Sequence, residues 1–188
     1  MEQFSQNMVF NQASSESFEF FANYLYAKPK QSIMRELMAN AISASTILPK
    51  DQQKPIKVFI NNEYIAVQDW GIGMSLEDIM TVFSVYLSST KKDDPNQIGG
   101  FGIGAKSIFA YSDHFVMETT SHEDGIRRTF LFERKEQEAP TYTMIKQEAS
   151  SEKGTRIQFP LYIIQDKLDF LNGCSSMAFM NYLIELVH

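Results

Sequence analysis

Cysteine is almost missing from this chain. Cys174 is the only one in 188 residues, which excludes an internal disulfide and any thiolate-rich zinc site. The three histidines, at 114, 122 and 188, show no metal-ligand spacing. A reducing, intracellular setting is expected. Basic charge is also short: 17 Lys and Arg against 23 Asp and Glu give a net charge of −6. Because those cations are scattered, the electrostatic footprint of a nucleic-acid reader is missing, and nucleic acid is not expected as a direct ligand. No basic segment followed by an apolar run stands near Met1, and no stretch approaches the ~20 apolar residues a membrane span needs. A soluble, cytoplasmic chain without a membrane span is expected. Internal repeats and low-complexity stretches are absent as well. Glycine is scarce, with nine residues, yet six of them fall in two clusters, at 71 and 73 and at 99, 100, 102 and 104.

What is present is enough for one domain with a real core: 44% hydrophobic residues, including 15 Phe and 8 Tyr. Residues 1–17 are read as an N-terminal arm, flexible or strand-exchanging. Between Ser15 and Ala27, Phe18, Phe21, Ala22 and Leu25 fall at helical spacing and predict a first helix. Pro29 stands where a second helix would begin, and Ile33, Met34, Leu37, Met38, Ala41 and Ile42 give it an apolar face that runs until Pro49. Ile56, Val58 and Ile60 alternate with polar neighbours, turn at Asn61 and Asn62, and resume with Ile65 and Val67, which predicts a hairpin. Ser75 with Asp78 forms a capping-box pattern ahead of a third helix. Residues 88–97 carry no periodicity and read as a loop, and a short helix is expected from about Lys106 to Tyr111. Four further alternating runs, "HFVMETT", "IRRTFLFER", "TYTMIKQ" and "GTRIQFPL", predict an antiparallel sheet. Residues 163–188 read as a C-terminal helical segment interrupted at Gly173. Helices grouped at one end and strands at the other argue for an α+β fold of two layers, a mostly antiparallel sheet with helices on one face.

Three places carry chemistry. On the second helix, Glu36, Asn40 and Ser43 sit at i, i+4 and i+7, within about 60° of one another, so they share a face. That face is either a solvated stripe or a carboxylate and an amide aimed into a pocket, where the first orients water and the second ligates Mg²⁺. In "DWGIGM", Asp69 ends an apolar strand, and Gly71 and Gly73 allow close approach of a flat ligand. The same pattern also serves an ordinary strand-to-helix turn. If it is functional, the carboxylate accepts a hydrogen bond from an exocyclic amine such as that of adenine. The third place is "GGFGIGAKS", Gly99 to Ser107. As a Walker loop it fails, because Ala105 stands where the second glycine belongs and the polar run before it cannot be a buried parallel strand. A glycine hinge and a phosphate cradle whose end opens a helix both stay open. Lys106 either lends its charge there or is a surface lysine.

Taken in order, "RELMANAISA" (35–44), "DWGIGM" (69–74), "IGGFGIGAKS" (98–107) and Gly154-Thr155 resemble the motifs of the GHKL ATPases. That superfamily includes Hsp90-type chaperones, type II topoisomerase ATPase domains, MutL proteins and histidine kinases. Within it, "YAKPKQSIMRELMANAISAS" and "STKKDDPNQIGGFGIGAKSIFAYSDHFVMETT" look most like phage rIIA-type lysis-inhibition proteins. The resemblance implies a Bergerat-fold ATP-binding domain over residues 18–162, with ATP or ADP and Mg²⁺ as ligands. By position, Glu36 is similar to the general base and Asn40 to the Mg²⁺ ligand. Asp69 resembles the adenine acceptor, with Gly71, Gly73 and Met74 against the base and Thr155 supporting the same network. Gly99, Gly100, Phe101, Gly102, Ile103, Gly104 and Lys106 resemble the phosphate-binding root of an ATP lid, residues 87–98. Arg35 can pair with Glu36 and hold it inactive. Ser43 stands where the family often has Asp, which leaves a hydroxyl without charge in the side wall of the adenine site.

The resemblance further implies slow hydrolysis, since the cation that members draw from a following domain would have to come from beyond His188. It implies pairing of two chains on ATP, an unidentified protein partner, and action in an infected host cell with a peripheral membrane association. A nucleotide sensor that does not turn over, a protein kinase and a purely structural domain are the alternatives.

Overall fold

The computed structural model describes residues 5–7, 9–10, 28–83, 85–86, 104–135, 140–175 and 184–187. The first expected helix (15–27), the expected lid (87–98) and residues 99–103 of the glycine loop lie outside them.

The elements run β1 (Ser5–Asn7), β2 (Val9–Phe10), α1 (Pro29–Thr46), β3 (Ile56–Ile60), β4 (Tyr64–Gln68), α2 (Leu76–Asp78), β5 (Val85–Tyr86), β6 (His114–Thr120), β7 (Ile126–Glu133), β8 (Thr141–Ala149), β9 (Gly154–Pro160), α3 (Lys167–Ser175) and β10 (Ile184–Val187). Eight strands form one sheet in the order β1-β8-β7-β6-β9-β4-β3-β10. Every neighbouring pair is antiparallel except β10 with β3, and β2 pairs in parallel with β5 in a separate ribbon. The expected α+β architecture is therefore present, with β9 inserted between β4 and β6. That insertion places Thr155 beside the end of β4 and opposite Thr119 of β6.

The sheet alternates in burial because one face meets the helices. Phe115 and Met117 of β6, Phe130 and Phe132 of β7 and Ile157 and Phe159 of β9 share a core with Ile33, Met34, Leu37 and Ile42 of α1 and Phe170 of α3. Phe115 and Phe132 stack across the β6–β7 pair with centroids 4.6 Å apart. Burying an aliphatic or phenyl side chain of this kind contributes about 1.5–3 kcal/mol each, so this face holds the two layers together. The opposite face is half-buried: Arg156 lies 4.4 Å from the Phe59 ring centroid and bonds Gln68 and Gln158.

Four local expectations differ from the structure. Ser75 and Asp78 do form a reciprocal capping box, but α2 is one turn long and passes into a π-helical segment, Ile79–Phe83. The short helix after the glycine loop is a 3-10 helix, Gly104–Ala110. Gly173 does not interrupt α3; a Cβ there would stand 2.7 Å from the Met34 Cβ, so the glycine lets α3 approach α1. Ile184–Val187 is a strand on the β3 edge, not a helix, because it finds an open hydrogen-bonding edge there.

Candidate functional site

α1 begins with Pro at its first turn, where the missing N–H costs nothing. Its buried stripe, Ile33, Met34, Leu37, Met38, Ala41 and Ile42, turns toward the sheet, and this fixes the rotation of the helix. Glu36, Asn40 and Ser43 are left half-buried. A side chain at such a position is neither free in solvent nor packed in the core.

Asp69 extends β4 by one residue: its N–H donates to the Thr155 carbonyl at 2.9 Å. The carboxyl is only 6% exposed. Its Oδ1 accepts two backbone N–H groups, from Gly71 at 2.8 Å and from Thr155 at 3.3 Å. Oδ2 takes part in neither bond. Burial pushes the pKa up to about 7, and the backbone N–H groups of Gly71, Thr155 and Asp69 itself oppose that without cancelling it. The group is thus fixed in orientation, with one oxygen engaged and its proton near balance at neutral pH.

The loop after Asp69 is pinned from two sides. The Met74 N–H donates to Thr119 Oγ1 at 2.9 Å, and that hydroxyl pairs with Thr155 Oγ1 at 3.0 Å. The His122 N–H donates to the Ile72 carbonyl at 2.9 Å. Gly73 has φ +66°, and a Cβ on it would fall 2.0 Å from the Thr120 carbonyl oxygen. Gly154 has φ +113°, and a Cβ there would fall 2.2 Å from the Asp69 carbonyl oxygen. Both positions need glycine for conformation and for space. Gly71 meanwhile rests against the Ala44 backbone, which joins this loop to the last turns of α1.

Gly104 opens the 3-10 helix directly against Asn40: a Cβ on it would stand 2.5 Å from Asn40 Nδ2. Lys106 is 6% exposed, so the surface-lysine reading is corrected; burial pushes its pKa down to about 7. The structure therefore brings Asn40 to Gly104, the α1 residue Ala44 to Gly71, and Asp69 to Thr155, Thr119 and Met74. Gly99, Gly100, Phe101, Gly102 and Ile103 are outside the described residues.

Sequence reasoning missed Thr119, which ties the Asp69 loop to β9. The available signal was its phase: Thr119 falls on the same face as Phe115 and Met117, where a hydroxyl must find a partner. Thr120 and Ala44 were missed too, because both touch the loop glycines through backbone or a methyl group and carry no chemical signature.

Buried carboxylate, glycine-lined loop and polar helix face occur together on a mostly antiparallel sheet with helices on one side. Residues 28–158 match the family described as "Histidine kinase-, DNA gyrase B-, and HSP90-like ATPase", and the chain belongs to that family. Among curated proteins it is similar to the chaperone protein HtpG of Chlorobium chlorochromatii, 26% identical over 83% of this chain and 28% of that protein. It is also similar to the Endoplasmin homolog of Dictyostelium discoideum, 23% identical over 92% of this chain and 25% of that protein. HtpG of Rickettsia typhi is 30% identical over 76% of this chain and 26% of its own length. The chain spans about a quarter of the length of these relatives. Among the described residues no helix is long and apolar enough to cross a membrane.

Proposed function

We propose that this chain binds ATP with Mg²⁺ and hydrolyses it slowly, using closure around the nucleotide as a switch for pairing with a second copy. The observation that carries the reading is the Asp69 carboxyl, buried and held by two amides through Oδ1, at the head of a loop that Gly73 lets press against the Thr120 carbonyl of β6. A flat heterocycle with an exocyclic amine fits there: Oδ2 accepts from the amine, and the Gly71–Met74 backbone lies along one side. The site extends from Asp69 by way of Gly71 and Ala44 to α1, and along α1 to Asn40 and Gly104. That direction suits a nucleoside followed by phosphates.

Among the described residues no three His, Cys, Asp or Glu side chains gather as a metal site. A divalent cation is instead expected to use the Asn40 amide oxygen and the oxygens of the phosphates, as Mg²⁺ commonly does. When bound, the metal neutralises phosphate charge. Glu36, one helical turn from Asn40, orients the attacking water and accepts its proton. Lys106 and the backbone N–H groups of Gly99–Gly104 hold phosphate oxygens, and Ser43 lines the adenine side. The ATP-binding unit is taken as residues 18–162.

Two tests address this reading. Calorimetric titration of ATP with and without Mg²⁺ should show binding that the metal strengthens, and phosphate release should disappear in Glu36→Ala while binding persists. Failure of both ATP and ADP to bind or to shift the melting temperature overturns the reading. Binding with release no greater than in Glu36→Ala makes the chain a nucleotide sensor. Pairing should appear in sedimentation with a slowly hydrolysed ATP analogue, and a monomer under every condition removes the switch.

The run "STKKDDPNQIGGFGIGAKS" and the Pro ahead of "RELMANAISA" support a narrower placement, with phage rIIA-type proteins that act on lysis timing or host exclusion. Expression during phage infection should alter the time of lysis. Equal timing with the parent and with Glu36→Ala would remove that role.

A further inference from the structure

The first turn of α1 is placed the wrong way for its own electrostatics. It has no side-chain cap and no acidic residue, and it carries Lys30 at the end where a helix favours negative charge. The missing carboxylates come from another part of the chain. Lys30 Nζ donates to Asp166 Oδ1 and lies 3.6 Å from Asp169 Oδ2. The bond to Asp166 raises the Lys30 pKa. Asp166 is buried, and its Oδ2 accepts no hydrogen bond, so the pair with Lys30 carries most of the compensation for its charge.

Asp166 also reaches the second half of the site. Tyr111 follows directly on the Gly104–Ala110 helix, and its phenol pKa is raised by burial and, to a lesser degree, by the neighbouring Asp166 carboxylate. The Tyr111 hydroxyl accepts the Tyr162 N–H at 3.0 Å, and its ring meets Phe170 edge-on with centroids 5.1 Å apart. Gly173 of α3 sits against Gln31 and Met34, just ahead of Glu36 on α1. One short stretch, Tyr162 to Ser175, thus touches α1 and the end of the 104–110 helix from behind.

Resting on the nucleotide reading above, we propose that Asp166, with Lys30, is a positioning residue: it fixes α1 relative to the Gly104–Ala110 helix, so that Asn40 and Gly104 meet the phosphates and metal together. Lys30 lies about 9 Å along the helix from Glu36 and about 15 Å from Asn40, at 1.5 Å per residue. A helix is stiff over that length, so a shift at its first turn is carried to both. The Asp69 carboxyl is held by β4 and β9 and its loop by β6, and the loop meets α1 at Gly71 against Ala44, near the helix end farthest from Lys30. Adenosine binding and metal-dependent ATP binding should therefore separate.

The test is calorimetric: adenosine, ATP alone and ATP with Mg²⁺ titrated into the parent, Asp166→Asn, Lys30→Met, Lys30→Arg and the double variant Asp166→Asn with Lys30→Met. Both loss variants should reduce the Mg²⁺-dependent gain in ATP affinity about tenfold and leave adenosine within about twofold. The double variant should lose no more than either single one, and Lys30→Arg, which keeps the charge, should match the parent. Equal losses for adenosine and MgATP would reduce the pair to general stability and overturn the proposal. So would unchanged binding of both. If the parent itself binds neither ligand, the nucleotide reading has failed and the positioning role falls with it. Lys30 is 26% exposed, so Lys30→Met is a tolerable change even if Asp166→Asn folds poorly.

Discussion

Replacing Asp69 by Asn should move stability and binding in opposite directions. The carboxyl ionises near 3.8 in an unfolded chain and at about 7 in the folded one, chiefly because it is buried. Below pH 3.8 both states hold the proton and no penalty exists. As pH rises to 7 the folded state keeps a proton that the unfolded state has lost, so stability falls, and above 7 the cost is complete. Roughly 3 units at about 1.4 kcal/mol each set a ceiling of about 4 kcal/mol. Asn carries no charge, and its Oδ1 can accept the same N–H groups of Gly71 and Thr155. Asp69→Asn should therefore melt higher than the parent at pH 8, by several degrees, and the gap should narrow toward pH 5. ATP binding should weaken, because the Asn amide presents a donor to the adenine amine. Loss of a hydrogen bond to a charged group, about 1.5–3 kcal/mol, corresponds to roughly ten- to 150-fold in affinity. Scanning calorimetry and ATP titration at both pH values read the two effects. A variant that binds ATP as tightly as the parent, or one that melts lower at pH 8, refutes the reasoning.

Other consequences can be measured with the same protein. Adenosine affinity should rise as pH passes through about 7 and level off above it as Asp69 ionises, and a flat profile would show that its charge takes no part. Lys106, with its pKa pushed down to about 7, should gain a proton when phosphates arrive. ATP titrated near pH 7.5 in buffers of different ionisation heat should then show proton uptake that Lys106→Met abolishes, whereas persistence of the uptake removes Lys106 from the phosphate site. Gly154→Ala forces a Cβ to within 2.2 Å of the Asp69 carbonyl at φ +113° and should cost about 2–4 kcal/mol in denaturant unfolding; a loss below about 1 kcal/mol would mean β9 can retreat. Trp70, the only tryptophan, follows Asp69 and bonds the Pro55 carbonyl through Nε1. Its emission should change on adenosine binding, and silence with calorimetric binding intact would place the base elsewhere.

The legible parts of the fold were those where one face of an element meets the core. α1 announces itself through Ile33, Leu37, Met38 and Ile42, and β3 through Ile56, Val58 and Ile60, because burial on one side imposes a period. Strand order is set differently. Nothing local in "GTRIQFPL" says that β9 lies between β4 and β6; that follows from which edges remain open after two hairpins have formed. The same reason hid β10. Ile184–Val187 has the length of one helical turn or one short strand, and only the free edge of β3 decides between them. Gly173 misled because a glycine inside a helical pattern usually marks an end. Here it marks the closest approach of two helices, a property of the pair and not of either sequence.

For the site the division is sharper. Residue type and spacing marked Asp69 and the Glu36–Asn40 face as candidates, although the first pattern also serves a strand-to-helix turn and the second a solvated stripe. Spacing does not say which oxygen of Asp69 is engaged, yet the proposed contact with an adenine amine depends on it. Gly71 and Thr155 approach the same Oδ1, one from the local turn and one from a strand 86 positions away. The local half is readable as an Asx-type turn; the distant half exists only because Gly154, with positive φ and no side chain, lets β9 press against the Asp69 backbone. The Gly-Thr pair is then a single device. The glycine permits the approach, and the threonine uses it twice, donating its N–H to Asp69 and pairing its hydroxyl with Thr119, which in turn accepts from Met74. Replacing Thr155 by Val would keep the amide bond and remove the hydroxyl, leaving Thr119 with the Met74 N–H and a longer bond to the Gly154 carbonyl at 3.4 Å. The change should loosen the base-side loop without freeing Asp69, so it should weaken adenosine less than Asp69→Asn does.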